Sequence, residues 1–451
     1  MLPMRVRLWI ASAVVLIGCL SAVQAAGALP NAPSKAFKPA EACGCHAGLL
    51  SQWSVTMHAK ALADPAYQAK KSEANKATDG KLGAFCDTCH GPVAVMSGEA
   101  ATGKLSPQSA QGVFCDFCHQ VVGTTKPPSN TSQILKLDGT KRAQLKDAVS
   151  PVHSTAYSAF HESAEFCGAC HNVDHPVNGM HLESSYSEWK NSPYAKAGIV
   201  CQDCHMTPGP GVTKPNPGKA AAGGPQREHI YTMTFAGGNV GQGDAERATA
   251  NLKAAAEMRL DVPEVLAPGA SALVTVTITN VGAGHYLPTG LTEVRQMWLD
   301  VTAAGPDGKE TALGTRQFGT VLKDDKGRHP VELWEATGVY SDDRIPPQAS
   351  VTQTYTITMP DQPSATIVAT LNYRSLPEEL AEKAEVENPT TQMATAEQVV
   401  RSSAAPVEGE KPSGSATEKG NSALPAVLAV AALGALAIGL VAFLRSRRKN
   451  A

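Results

Sequence analysis

The pattern of hydrophobic and polar residues divides the chain into two parts. Over residues 252–375, short runs such as 273–279 and 351–358 alternate apolar and polar residues, and turn sequences such as 305–308 separate them. Short alternating runs at this spacing predict an all-β, immunoglobulin-like sandwich of about seven strands. Residues 27–245 show no sustained periodicity and are rich in Cys, His, Gly and Pro, so we expect a mostly α-helical or irregular domain there.

Apolar runs also occur at both ends. Residues 1–26 combine two arginines, an apolar run and small residues, which predicts an export signal; Cys19 alternatively fits a lipid-attachment box. Residues 424–444 carry no charge and are long enough for a helix across a bilayer of about 30 Å. The basic tail 445–451 predicts a cytoplasmic C-terminus by the positive-inside rule.

These ends predict a single-pass protein of the cell membrane, with both large domains in the periplasm or another extracytoplasmic space. Between the sandwich and the membrane helix, residues 385–422 are rich in Pro, Ser, Thr, Glu and Lys. Such a composition has little to bury and predicts a flexible linker. The formal net charge of -2 and the lack of basic clusters away from the ends argue against a nucleic-acid partner.

The cysteines point to the chemistry, because ten of the eleven lie between Cys43 and Cys204. Four Cys-x-x-Cys-His motifs account for eight of them: Cys86, Cys89 and His90; Cys115, Cys118 and His119; Cys167, Cys170 and His171; Cys201, Cys204 and His205. In this motif two thiols bond one porphyrin while the adjacent imidazole binds its iron. Structural zinc or disulfides would leave the histidine after every pair unexplained. We therefore predict four covalently attached haems.

A fifth, shortened motif reads Cys43-Gly44-Cys45-His46. The segment that follows it, 53–61, aligns with 189–197 as Trp-x-x-(Ser/Thr)-x-(His/Tyr)-Ala-Lys-Ala, and each copy lies between two motifs. The shortened motif thus occupies a haem position in a repeated unit. We expect a fifth haem c there, held by one thioether from Cys45, with Cys43 either free or strained into a second bond.

Each iron also needs a ligand on its other side. Outside the motifs, the cysteine-rich region contains six histidines: His58, His153, His161, His175, His181 and His229. We name His58, His153, His161, His181 and His229 as candidate second ligands, with His58 foremost because it lies in the repeat. Tyr194 takes the place of His58 in the second repeat. One haem is therefore open or ligated from elsewhere, and His285 of the sandwich is either that ligand or an ordinary loop residue.

The run from Cys167 to Met206 resembles extracytoplasmic multihaem cytochromes c of the cytochrome c554-related group. The sandwich sequences Asn280-Val281-Gly282-Ala283-Gly284-His285 and Leu287-Pro288-Thr289-Gly290 look like the C-terminal domain of some multihaem cytochromes. The resemblance implies haems within electron-transfer distance and a role in respiratory chains. It fixes no substrate, since one haem scaffold serves both carriers and enzymes.

Three functions follow as hypotheses. The first is a membrane-anchored pentahaem electron carrier whose partners are membrane or periplasmic redox proteins. The second is an oxidoreductase of a small nitrogen or sulfur compound at a five-coordinate haem; no Cys-x-x-Cys-Lys motif supports it. In the third, the sandwich docks a partner or covers the haem face.

Overall fold

The computed structural model describes residues 29–125 and 127–404. The predicted export signal, the membrane segment 424–444 and the basic tail lie outside the described residues. Within the described part, no helix has the length and apolar character needed to cross a membrane.

The cysteine-rich region consists of short helices joined by irregular segments. It also contains 3₁₀ helices of three to seven residues, at Ser34–Ala36, Ala40–His46, Ser109–Gln111 and Ala159–Glu162. Its α-helices are α1 (Ala47–Ser54), α2 (Met57–Lys60), α3 (Pro65–Ala77), α4 (Asp87–His90), α5 (Pro92–Met96), α6 (Glu99–Thr102), α7 (Cys115–Cys118), α8 (Ala164–Gly168), α9 (Ser185–Lys190), α10 (Pro193–Lys196), α11 (Gln202–His205) and α12 (Ala245–Ala255). Frequent Gly and Pro keep most helices to one or two turns.

Three small two-stranded ladders lie among these helices. They pair β1 (Val121–Thr124) with β2 (Gln133–Leu135), β3 (Lys141–Ala143) with β4 (Thr155–Tyr157), and β5 (Val173–Asp174) with β6 (His181–Glu183). The buried clusters of this region are small; the larger is formed around Phe37, Trp53, Phe114 and Phe117. The region therefore surrounds its interior without a continuous apolar core of its own.

The second part is a β-sandwich. Its strands are β7 (Ala256–Asp261), β8 (Val265–Leu266), β9 (Ser271–Asn280), β10 (Gln296–Ala304), β11 (Glu310–Phe318), β12 (Thr320–Lys323), β13 (Gly338–Asp342), β14 (Ser350–Thr358), β15 (Ser364–Arg374) and β16 (Thr391–Ser402). One sheet has the order β11-β10-β15-β16-β8 and the other β14-β9-β7, while β12 and β13 form a hairpin. Both sheets contribute to a single core, with Ile278 and Ile357 on one side and Leu299, Ile367 and Leu371 on the other.

Strand β16 corrects the predicted domain boundary. Residues 391–402 were expected to belong to the linker 385–422, but they pair with β15 along its length and with β8. The strand buries Met393 and Val400, while small or polar residues occupy most positions between them. Pairing with β15 and the burial of Met393 and Val400 in the core hold the strand, which a composition rich in Thr, Gln and Ala does not reveal. The sandwich thus extends well beyond residue 375.

The sandwich also packs against the cysteine-rich region. Helix α13 (Glu378–Ala384) buries Leu380 and Ala381 against Ala66 of α3. Two ion pairs flank this contact: Lys70 bonds Glu332 at 2.5 Å, and Lys383 bonds Glu73. The segment between β12 and β13 therefore reaches the same side of the cysteine-rich region as α13.

We expect Ile357→Ala to destabilise the sandwich by about 2–5 kcal/mol, because Ile357 is 2% exposed in the shared core and its removal leaves a cavity. Thr356→Ala is the matched control: the adjacent side chain is exposed, so its effect should stay within about 0.5 kcal/mol. Urea unfolding of the full-length protein, followed by tryptophan fluorescence, measures both. Equal effects of the two substitutions would contradict the packing described here.

Candidate haem-binding site

One large cavity passes through the cysteine-rich region to the sandwich. Its volume is about 1770 Å³. A pocket for one small molecule has a volume of about 300–1,000 Å³, so this cavity is large enough for several ligands. All ten cysteines of Cys43–Cys204 line it, together with all five motif histidines and five others, which are His58, His153, His161, His175 and His285. The sequence motifs thus converge on one continuous space.

The local fold of each complete motif aims its histidine into the cavity. Helices α4, α7, α8 and α11 each contain or adjoin a motif, and the histidine amide bonds the carbonyl of the first cysteine, for example His171 N to Cys167 O at 3.0 Å. One helical turn therefore brings the first thiol, the second thiol and the imidazole to one side. Three motif aspartates are anchored in the protein by lysines: Asp87 by Lys71, Asp116 by Lys141 and Asp203 by Lys214.

The five motif imidazoles share a hydrogen-bonding pattern. In four of them Nδ1 lies at hydrogen-bond distance from a backbone carbonyl: His46 and Ala220 at 2.6 Å, His90 and Ala61 at 3.1 Å, His119 and Arg142 at 2.7 Å, His205 and Ala236 at 2.8 Å. In the fifth, His171 Nδ1 lies 3.1 Å from Oε1 of Glu183. A proton on Nδ1 that is donated to such an oxygen leaves the Nε2 lone pair for a metal, as second-shell partners do in metal sites.

Four motif histidines face a second imidazole across the cavity. The ring centres are 6.3 Å apart for His46 and His153, 6.1 Å for His171 and His58, 5.9 Å for His119 and His161, and 6.2 Å for His205 and His285. Two imidazoles bonded to one metal ion from opposite sides have ring centres about 6 Å apart, because each bond is about 2 Å long and each ring centre lies about 1 Å further on. The observed spacing fits a six-coordinate iron between each pair.

Electrostatics keep several of these imidazoles neutral, which is the form that binds a metal. Burial, aided by neighbouring imidazoles such as His171, lowers the pKa of His58 to about 3. Burial and the facing partner lower the pKa of His161 and of His205 to about 4. His171 differs: burial opposes protonation, but Glu183 prevails and raises the pKa of His171 to about 9.

The thiols show which motifs are neighbours. Cys43 lies beside Cys115, Cys89 beside Cys170, and Cys167 beside Cys201. Cys170 is also near enough to Cys118 to influence its pKa. The motif that ends at His171 therefore adjoins the motifs of His90, His119 and His205. The motif of His46 connects to the others through that of His119.

His90 is the exception among the motif histidines. No second imidazole faces it at the spacing of the other pairs within the described residues. The ring of Tyr67 stacks on it, with centres 3.8 Å apart and planes at 6°. That spacing is too short for an iron between the rings, so Tyr67 flanks the imidazole rather than facing its Nε2. Tyr67 is itself fixed by a hydrogen bond of 2.7 Å from its hydroxyl to Asp87.

Three of the five candidate second ligands named from the sequence, His58, His153 and His161, face motif histidines. The other two differ from the prediction. His181 is exposed and bonds Asp174, and His229 accepts a hydrogen bond of 2.9 Å from the Asn216 amide on Nδ1. Neither lines the cavity. Their position close to the motifs along the chain does not bring them to the cavity wall.

The structure places His285 of the sandwich in the cavity, and residues of the cysteine-rich region hold its loop. Glu188 of α9 accepts hydrogen bonds from the Tyr286 amide at 3.1 Å and the Thr289 hydroxyl at 2.7 Å. Arg344 bonds the same carboxylate at 2.5 Å. Tyr194, the residue that replaces histidine in the second repeat, donates its hydroxyl to Val281 O at 2.7 Å. Glu183 and Glu188 were not identified from the sequence, because no motif marks them.

Comparisons with known proteins show similarity to multihaem cytochromes. Residues 42–120 match the family model described as cytochrome c554 and c-prime. A penta-heme cytochrome c552 from Thermochromatium tepidum is similar in structure, with a TM-score of 0.61 and 21% identity over 82% of this chain and 100% of that one. A CARDB domain from Pyrococcus furiosus gives a TM-score of 0.18 and 16% identity over 33% of this chain and 84% of that one, too low to bear on the fold. No curated protein matches the chain.

Over most of the chain the fold is similar to that of this penta-heme cytochrome, and the cysteines and imidazoles that line the cavity are of the kind that hold haem c. The resemblance of this chain to multihaem cytochromes of the cytochrome c554-related group is confirmed.

Proposed function

We propose that the chain is a membrane-anchored pentahaem cytochrome c that passes electrons between a membrane donor and a periplasmic acceptor in a respiratory chain. The observation that carries the proposal is the convergence of five motif histidines on one cavity, four of them opposite a second imidazole at 5.9–6.3 Å. Iron ligated by two imidazoles suits electron transfer because its coordination is already complete. When bound, the haems supply the one-electron chemistry.

The chain's own residues hold and orient these groups. The proposed attachment sites are the thiols of Cys45, Cys86, Cys89, Cys115, Cys118, Cys167, Cys170, Cys201 and Cys204. The proposed iron ligands are His46, His90, His119, His171 and His205, with His58, His153, His161 and His285 opposite four of them. Backbone carbonyls and Glu183 fix the orientation of the motif imidazoles. The uncharged segment 424–444 supports the membrane anchor, and residues 1–26 support export.

Expression in a host competent in cytochrome maturation tests the proposal. We expect five haems per chain by pyridine haemochrome assay and recovery of the full-length protein with membranes. A variant that ends at residue 404 should be recovered in the soluble extracytoplasmic fraction with the same haem content, because it retains every described residue. A colourless protein would refute the cytochrome, and a full-length protein found only in the soluble fraction would refute the anchor.

A second function is favoured by one observation, the absence of a facing imidazole at His90 among the described residues. A five-coordinate haem at that motif could bind and reduce a small nitrogen or sulfur compound. The same purified protein distinguishes the two functions: a high-spin ferric EPR signal that changes when nitrite or hydroxylamine is added supports the enzyme. Wholly low-spin spectra support the carrier.

A further inference from the structure

One motif histidine differs from the others in the charge of its hydrogen-bond partner. In four motif imidazoles the hydrogen-bond partner of Nδ1 is a neutral backbone carbonyl, whereas in His171 it is the carboxylate of Glu183, at 3.1 Å. Glu183 ends the short strand β6, which pairs with β5 just after the His171 motif, so local backbone pairing holds the carboxylate beside the ring. Its side chain is 14% exposed. The carboxylate is thus largely buried, which strengthens the effect of its charge, while the His171 ring that it contacts lines the cavity and is 52% exposed.

A carboxylate acts on a metal-bound imidazole in a known direction. A strong acceptor draws the Nδ1 proton towards itself and makes the ring a better electron donor at Nε2. Ferric iron gains more from a better donor than ferrous iron, so the reduction potential falls. The buried negative charge acts in the same direction. Besides the imidazole itself, Arg295 and the Ser185 hydroxyl partly offset it.

The motif that ends at His171 lies next to three other motifs, so the reduction potential of its haem matters for all the haems. Cys170 lies near Cys89 and Cys118, and Cys167 lies beside Cys201. The haem at His171 would therefore adjoin those at His90, His119 and His205. We infer that Glu183 gives this haem the lowest reduction potential of the five. The haem at His171 would then be a low-potential junction between three branches: the haem at His90, the haems at His119 and His46, and the haem at His205.

This inference rests on the proposed function, and it predicts an order of reduction. As a one-electron reductant is added, each ferric haem takes one electron, and the junction haem takes its electron last. At intermediate potentials the branches are reduced while the junction is oxidised, and the junction then sets the rate at which electrons cross between branches.

Glu183→Gln tests the inference in the full-length holoprotein. Glutamine keeps the size and an acceptor oxygen but removes the charge. Loss of a second-shell partner typically costs about 10–100-fold in metal affinity or activity, and we take the lower figure for the oxidised-to-reduced equilibrium of the iron. A tenfold change in the oxidised-to-reduced equilibrium is about 59 mV for one electron. We therefore expect the lowest of five components in a spectroscopic redox titration to rise by at least this amount, with the haem content unchanged.

Glu165→Gln is the matched control. Glu165 lies two residues before Cys167 and is bonded by Tyr186 and Lys190, not by a motif imidazole. Its substitution removes the same charge close to the same haem, so the lowest component should move much less than in Glu183→Gln. An equal shift in both variants, or an unchanged lowest component in Glu183→Gln, overturns the inference.

Glu183→Asp keeps the inference testable if the glutamine variant fails to mature. Aspartate retains the charge but is one methylene shorter, so its contact with Nδ1 is longer and the lowest component should rise by a smaller amount. A lowest component that stays or falls in this variant overturns the inference. Wild-type protein without five haems would instead refute the proposed function, so the two failures are distinguishable.

Discussion

In His285→Ala holoprotein, one haem of the five is expected to change from low spin to high spin. His285 faces His205 with ring centres 6.2 Å apart, and its removal leaves the iron at that motif without an imidazole on one side. EPR and visible spectra of the ferric protein measure the change. Added free imidazole should restore the low-spin spectrum, because it can enter the space left by the side chain.

His329→Ala is the control for this experiment. His329 also belongs to the sandwich, but it stacks on Tyr340 with ring centres 3.4 Å apart and does not line the cavity. Its spectra should match those of the wild type. If the spectra of His285→Ala also match those of the wild type, with five haems bound, the sandwich supplies no ligand and serves only to cover this face of the cavity.

The sandwich was predictable from local alternation, and the limits of that signal are visible in its strands. Strands β9, β10 and β15 follow apolar runs that bury every second residue over most of their length, and β14 alternates half-buried with exposed residues and buries Ile357. Strand β16 also alternates inward and exposed residues, but most of its inward positions carry small or polar residues, so no apolar run marks it. A strand whose neighbours supply the hydrophobic contacts can carry small and polar residues, and only the tertiary structure identifies it.

In the candidate site, too, some residues were predictable from local sequence and others depend on long-range contacts. In every complete motif the two attaching cysteines and the first imidazole lie within five residues, so spacing alone predicts all three. The facing imidazoles come from distant positions: His58 faces His171, and His285 faces His205. Apart from the repeat, which placed His58 foremost, no local pattern encodes such pairs, which is why His181 and His229 also were candidates from the sequence.

The two copies of the internal repeat show how the long-range pairs arise. In the first copy the repeat provides His58, which faces His171. In the second copy Tyr194 occupies that position and donates a hydrogen bond to Val281 of the loop that leads to His285. Gly284 lies against the Tyr194 ring, where an added Cβ would come within 3.4 Å. The second repeat thus holds the sandwich loop that carries His285, in place of providing a facing imidazole itself.

In Cys45→Ser protein, we expect one haem fewer to remain covalently attached, so that denaturing mass spectrometry finds four. The shortened motif retains the arrangement of the complete ones: His46 faces His153 at 6.3 Å, and its Nδ1 lies 2.6 Å from Ala220 O. The Ala222 amide also bonds the Cys45 carbonyl at 2.8 Å. The iron ligands therefore stay in place, and the folded protein can retain a haem that denaturation releases.

Cys43→Ser is the matched control, since the two thiols are two residues apart but differ in their surroundings. The Cys43 thiol lies beside Cys115 of a neighbouring motif, and Cys43 interrupts the 3₁₀ helix Ala40–His46 with a φ of −89° and a ψ of 23°. This backbone departs from the regular turn that aligns the first cysteine of a complete motif with its histidine. We therefore expect five covalent haems in Cys43→Ser. If the shortened motif instead forms two thioether bonds, each single variant keeps one of them, so five covalent haems in Cys45→Ser as well as in Cys43→Ser would contradict attachment through Cys45 alone.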